Sequence, residues 1–225
     1  MNFPDHLFAL PWVLGAYFVF LPIALWCVLT APWRRLLDSS QLNVWLGTIV
    51  VLMLMWSMRA GVRPGMNMHL LGATMFTLMF GRQLAILGLT AVLAAVTFNS
   101  AASGTIGWST FALNALAMTV VPVFLAWVIQ RAVERWLPPH FFVYLFVMTF
   151  FGAAVNTVLT GLAATSLLAV AEIYPVDLLF GEFFMSYILL AFAEAWLTGA
   201  AITLMIVYYP HWVGSFDDQR YLLNK

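Results

Sequence analysis

Apolar residues in this chain come in long runs, not at alternating positions. The first run is 10–30, with Pro11 at its entry and Pro22 inside it. A second covers 41–58. Two shorter runs, 67–80 and 83–98, are joined at Gly81-Arg82-Gln83. Longer ones follow at 108–130, 140–170 and 178–209. A helix needs roughly 20 apolar residues to cross a bilayer core, whereas a membrane strand shows roughly 10 residues of alternation. The pattern therefore predicts seven helical membrane segments. The short pair would cross thinly or be shielded by protein, and the two longest would tilt, kink or protrude.

Polar residues punctuate the runs. Arg34, Arg35 and Asp38 lie in a turn after the first, and Arg59, Gly61, Arg63 and Pro64 follow the second. Residues 99–107 form a loop rich in Ser, Ala and Gly. Arg131, Glu134 and Arg135 precede Pro138-Pro139. Seven crossings alternate these connections between two sides. One side collects Arg34, Arg35, Arg82, Arg131, Arg135, Arg220 and Lys225, and the other only Arg59 and Arg63. Basic residues favour the cytoplasmic side, so the amino terminus is expected outside and the carboxyl terminus inside. Residues 1–9 then form an outer segment and 210–225 a cytoplasmic tail, around a single transmembrane domain 1–225.

Composition agrees. Of the 225 residues, 64% are hydrophobic and 8% charged, against about 45–50% and about 25% in soluble domains. The expectation is an all-α integral membrane protein, a compact bundle. Net charge is zero, so no basic face invites nucleic acid. The one cysteine, Cys27, sits in an apolar run and is read as a packing residue. The start, Met-Asn-Phe-Pro-Asp-His, lacks the basic residues of a signal peptide. The first run is read as a retained helix and Met1 as the mature start.

Few residues can carry chemistry. His69 lies at the mouth of an apolar segment, among Met66, Met68 and Met75. A histidine there is either a functional ligand or a hydrogen-bonded structural group. Thioether and imidazole together would suit Cu⁺, although methionine is also a common gap filler. Glu194 is a charge near the middle of the last run and requires partners. Asn114, Asn156 and Thr198 are the expected ones. His6, His140 and His211 lie near segment ends. Arg131, Glu134 and Arg135 are positive-inside anchors or a docking face for a cytoplasmic partner.

Several of these residues also carry a family resemblance. The chain resembles the CbiM/NikM-type cobalt and nickel permease subunits of energy-coupling-factor transporters. Those begin Met-His-Ile-(Pro or Met)-(Asp or Glu)-Gly, and this chain begins Met1-Asn2-Phe3-Pro4-Asp5-His6. Met68-His69-Leu70-Leu71-Gly72 matches the opening of their third helix. Asn114 and Met118 echo a later Asn-rich stretch, and Ala193-Glu194-Ala195-Trp196-Leu197-Thr198-Gly199 follows their last-helix pattern. Their usual Leu-Gly-Pro-Trp turn is Phe80-Gly81-Arg82-Gln83 here. The matches occur in order over most of the chain.

The resemblance implies a Co²⁺ or Ni²⁺ site built from the terminal amine, the second residue's backbone nitrogen and imidazole, and the third-helix histidine. Met1 could give the amine and His69 an imidazole. Asn2 stands where the family has histidine, and a neutral amide is a weak oxygen donor. His6 could return as a substitute donor through a turn at Pro4. Met1, Asn2, His6 and His69 are thus the candidate metal residues. No intrinsic cofactor is expected; Co²⁺ or Ni²⁺ would be bound, with Cu⁺ a lesser option.

The implied function is a permease subunit working in the bilayer with a transmembrane coupling subunit and cytoplasmic ATPases. The chain itself has no Gly-rich phosphate-binding loop ending in Lys-Ser/Thr. The alternative is a non-transporting subunit or assembly factor in another membrane complex, keeping the fold without the usual metal site. An enzyme is not expected. Ala102-Ser103-Gly104 has the look of a hydrolase turn, but it lies in an outer loop with no matching histidine on the next helix.

Overall fold

A computed structural model describes the chain except residues 1, 59, 62, 103–106, 224 and 225. The hydrolase-like turn at 103–104 and the basic residues at 59 and 225 lie outside the described residues. Seven main helical segments lie among the described residues: α1 Leu10–Thr30, α2 Ser39–Ser57, α3 Ala73–Phe80, α4 Arg82–Ala102, α5 Phe111–Trp136, α6 Val143–Val170 and α7 Val176–Tyr208. All but α3 are long and apolar enough to cross a membrane. Wider π turns interrupt α5 at Leu116–Val120 and α7 at Leu179–Phe184, and open α6 at Val143–Phe151.

The structure differs from the sequence reading in several places. Residues 67–72 are not helical. Two short strands, β1 Ala60–Gly61 and β2 Asn67–Met68, pair antiparallel, and extended chain leads from β2 into α3. The helix cannot start earlier because Gly72 sits in the left-handed region at φ 65°, and the backbone turns there. α4 continues to Ala102, so it has 21 residues and full spanning length. The connection after α1 is ordered as a 3₁₀ turn, Trp33–Leu37. The carboxy-terminal segment is packed: Val213, Phe216 and Tyr221 are buried, and Tyr144 meets both Phe216 and Tyr221.

α3 is the centre of the molecule. All eight of its residues are buried, and it packs against α4, α5, α6 and α7. A helix this short need not span the bilayer alone, because protein, not lipid, surrounds it. By contrast α1 and α2 present many exposed apolar side chains, such as Phe18, Leu29 and Leu54. Exposed leucine and phenylalanine on an outer helix are the expected surface against acyl chains.

Hydrogen bonds mark the two ends of the bundle. At the amino-terminal end Tyr174 Oη donates to Pro64 O (3.0 Å), and Tyr17 Oη to Trp108 O (2.8 Å). At the opposite end Gly214 N and Ser215 N donate to Met79 O and Leu78 O, both at 3.0 Å. Arg35 adds bonds to Met79 O (2.7 Å), Trp212 O (3.3 Å) and Gln41 Oε1 (3.0 Å). The carbonyls that end α3 are therefore satisfied by the carboxy-terminal segment and one arginine. Burial holds the Arg35 pKa below its ordinary value.

Candidate functional site

The chain around His69 is held from three helices. α2 contributes Trp56, whose Nε1 donates to Leu71 O at 3.2 Å. The Trp56 ring lies 4.8 Å from that of His69. Leu52, one turn earlier, closes over Gly72, and a Cβ there would come within 2.4 Å of Leu52 Cδ2. α6 contributes Asn156, whose Nδ2 donates to Thr74 Oγ1 at 2.8 Å. α7 contributes Glu194, which accepts from the backbone N–H groups of Leu71 and Gly72, the latter at 3.1 Å.

Glu194 is completely enclosed, and its partners are these main-chain donors. The expected side-chain partners are otherwise engaged. Asn156 serves Thr74, and Asn114 serves the amino-terminal segment. The Thr198 hydroxyl is buried without a hydrogen-bond partner among the described residues. The physical reason is geometric. A left-handed residue ahead of a helix leaves successive N–H groups pointing the same way, and such a nest suits a carboxylate.

His69 is itself buried, at 6% exposure. Its Nδ1 lies 3.2 Å from Leu70 O. A proton on Nδ1 satisfies that carbonyl and puts the lone pair on Nε2. Metal-binding histidines use this arrangement, with the carbonyl fixing tautomer and ring orientation.

The amino-terminal segment is inserted into the same end of the bundle. Asn2 and Phe3 are buried, at 2% and 0% exposure. Asn114 on α5 grips the Phe3 backbone from both sides. Phe3 N donates to Asn114 Oδ1 at 2.7 Å, and Asn114 Nδ2 donates to Phe3 O at 3.1 Å. Thr110 Oγ1 also donates to Phe3 O, at 2.7 Å. The Phe3 and Leu7 side chains press on Gly65, four residues before His69. Asp5 accepts from Thr110 N at 3.3 Å. Burial raises the Asp5 pKa, but hydrogen bonds from Ser109 and Thr110 outweigh it and hold it below the ordinary value.

The four candidate metal residues are thus treated differently. Asn2 and His69 are both buried at the amino-terminal end, where Phe3 meets the loop leading to His69. Asn2 Oδ1 has no hydrogen-bond partner among the described residues. The turn at Pro4 is present, with Leu7 N donating to Pro4 O at 3.1 Å, and His6 is exposed on it. Met1 lies outside the described residues. No three His, Cys, Asp or Glu side chains converge among the described residues. Those side chains alone therefore do not form a metal site, and main-chain or terminal nitrogen would have to complete one. Sequence reasoning missed the roles of Trp56 and Leu52. Both lie in an apolar run, and nothing local marks Trp56 as a neighbour of His69 or Leu52 as packing on Gly72.

Comparison with known proteins agrees with this architecture. A family model described as the cobalt uptake substrate-specific transmembrane region, CbiM, matches residues 2–212. The fold resembles a crystal structure of a truncated transition metal transporter, with a TM-score of 0.76 and 15% identity, covering 92% of this chain and 99% of that one. It also resembles a crystal structure of a transition metal transporter, with a TM-score of 0.74 and 15% identity, covering 94% of this chain and 96% of that one. No curated sequence relative matches. With a multi-pass bundle, a buried histidine segment and a family match over nearly the whole chain, the protein belongs to the CbiM family and is a membrane component of metal uptake, not an enzyme.

Proposed function

We propose that this chain is the substrate-binding permease subunit of an energy-coupling-factor transporter for Co²⁺ or Ni²⁺. The observation that carries the reading is the buried amino-terminal segment. Asn2 and Phe3 are enclosed beside the loop that leads to His69, and Asn114 fixes the Phe3 backbone at two points. Main-chain nitrogen near Asn2, the terminal amine of Met1 and His69 Nε2 would form a nitrogen-rich donor set, which suits Co²⁺ and Ni²⁺ better than the hard cations. Asn2 Oδ1 can add a weak oxygen donor; His6 stays outside as an entry-side group.

The basic end of the bundle faces the cytoplasm in this reading, and the amino terminus faces out. The membrane is a bacterial plasma membrane. Energy comes from a transmembrane coupling subunit with cytoplasmic ATPases. The test is metal content of protein purified with an unextended amino terminus, loaded with Co²⁺ or Ni²⁺. Near-stoichiometric metal that is lost in His69→Ala, and in a variant with residues added before Met1, supports the proposal. Absence of metal from the native protein refutes it.

One observation favours a second reading, a non-transporting subunit that keeps the fold. Asn2 replaces an imidazole with a weaker donor, and its buried carbonyl oxygen has no partner among the described residues. Metal-independent co-purification with a membrane complex lacking ATPases would select that reading.

A further inference from the structure

Arg82 is the first residue of α4, and its guanidinium lies between two tryptophans. It is 5.0 Å from the Trp26 ring on α1 and 4.6 Å from the Trp127 ring on α5. Arg131 lies over the same Trp127 ring at 6.0 Å. α1 and the second half of α5 each pack on α4. Arg82 therefore sits where two outer helices flank a third, at the end of the bundle that also carries Arg35 and the carboxy-terminal segment.

The charge there is only partly balanced among the described residues. Arg131 pairs with Glu134 at 3.6 Å, and its side chain is 66% exposed. Arg82 has no carboxylate partner among the described residues. Both tryptophan rings lie within cation–π distance of its guanidinium, and that contact stabilises the charge without neutralising it. The edge of a guanidinium carries its N–H donors in a planar fork, a geometry that matches two oxygens of a phosphate. The surroundings are apolar surface: Trp26 is exposed, and Phe124, which meets the Trp127 ring at 5.8 Å, is exposed as well. The arrangement places a cationic fork at the level where an apolar helix surface reaches its polar end.

We infer that Arg82, flanked by Trp26 and Trp127 and assisted by Arg131, binds the phosphodiester headgroup of an anionic phospholipid whose acyl chains lie along α1 and α5. Charge complementarity commits the site to an anionic lipid: a zwitterionic headgroup brings its own cation and gains less. The tryptophans hold the fork still, so binding does not require ordering a flexible arginine. The site is independent of His69, which lies at the other end of the bundle.

Native mass spectrometry of the detergent-purified chain tests it, with phosphatidylglycerol, cardiolipin or phosphatidylcholine added in a titration. The wild-type chain should retain one anionic lipid in preference to phosphatidylcholine. Arg82→Gln should weaken that retention about tenfold, as expected for loss of a charge-assisted pair. Arg82→Lys keeps the charge but not the fork, and should fall between. Arg63→Gln, at the opposite end, should match wild type. Equal retention of phosphatidylcholine, or anionic retention unchanged in Arg82→Gln, overturns the proposal. Displacement of the lipid by millimolar inorganic phosphate also overturns it, because the site would then recognise a free anion. If Arg82→Gln does not yield folded protein, Arg82→Lys and Trp127→Phe decide by the same readout: lowered anionic retention supports the site, and wild-type retention by both overturns it.

Discussion

Replacing Glu194 probes the histidine segment most directly. Glu194→Ala removes the side-chain acceptor that the Leu71 and Gly72 amides have among the described residues. Both donors lie in a buried setting. Each orphaned donor costs about 1–3 kcal/mol, so the pair costs about 2–6 kcal/mol before the cavity is counted. For a chain of this length that corresponds to a fall of roughly 5–20 °C in Tm. Glu194→Gln keeps an acceptor oxygen and loses only charge assistance, so it should cost about 1–2 kcal/mol. The two variants are compared by thermal unfolding in detergent and by hydrogen exchange read on peptides covering Leu71 and Gly72. Those amides should exchange much faster in Glu194→Ala, with α4 and α5 little changed. Two results would refute the reasoning: unchanged exchange at 71–72 in Glu194→Ala, or a Glu194→Gln variant as damaged as the alanine one.

Three further outcomes are expected. Asn114→Leu should free the amino-terminal segment, because both of its bonds to Phe3 vanish; the local cost is about 1–3 kcal/mol, and faster exchange with greater aminopeptidase sensitivity at residues 2–8 checks it. Gly72→Ala should be worse than most glycine changes, since it combines positive φ with a 2.4 Å approach to Leu52 Cδ2; a loss of about 2–4 kcal/mol is expected, with Leu52→Ala in the same chain recovering part of it in Tm. Lowering pH should loosen the amino-terminal turn: the folded Asp5 pKa lies below its unfolded value of 3.8, so its contribution is present above that value and is lost as pH falls through the folded pKa. Exchange at residues 3–8 measured across acidic pH should show the change, and Asp5→Asn should abolish it.

What the sequence determined by itself was what one-dimensional pattern can carry. Runs of apolar residues marked the seven helical segments, six of them long and apolar enough to cross a membrane, because a segment in lipid must satisfy its own backbone. Basic residues divided the connections into two ends, and four short patterns from Met1 to Gly199 pointed to the family. His69 stood out as an intramembrane-edge histidine, and Glu194 as a charge in need of partners. Tertiary structure decided which partners. Glu194 meets Leu71 and Gly72 more than 120 positions away along the chain, and it meets them through the backbone, whose donors no residue type announces. The run 67–80 looked helical because its composition is apolar throughout; Gly72 at positive φ, Leu52 above it and Glu194 beside it turn the first half into extended chain. In the same way Asn114 finds its partner in the main chain of Phe3. A hydrophobic pattern says which segments enter the membrane. It says nothing about which main-chain amides are left over when they pack, and those leftovers position this site.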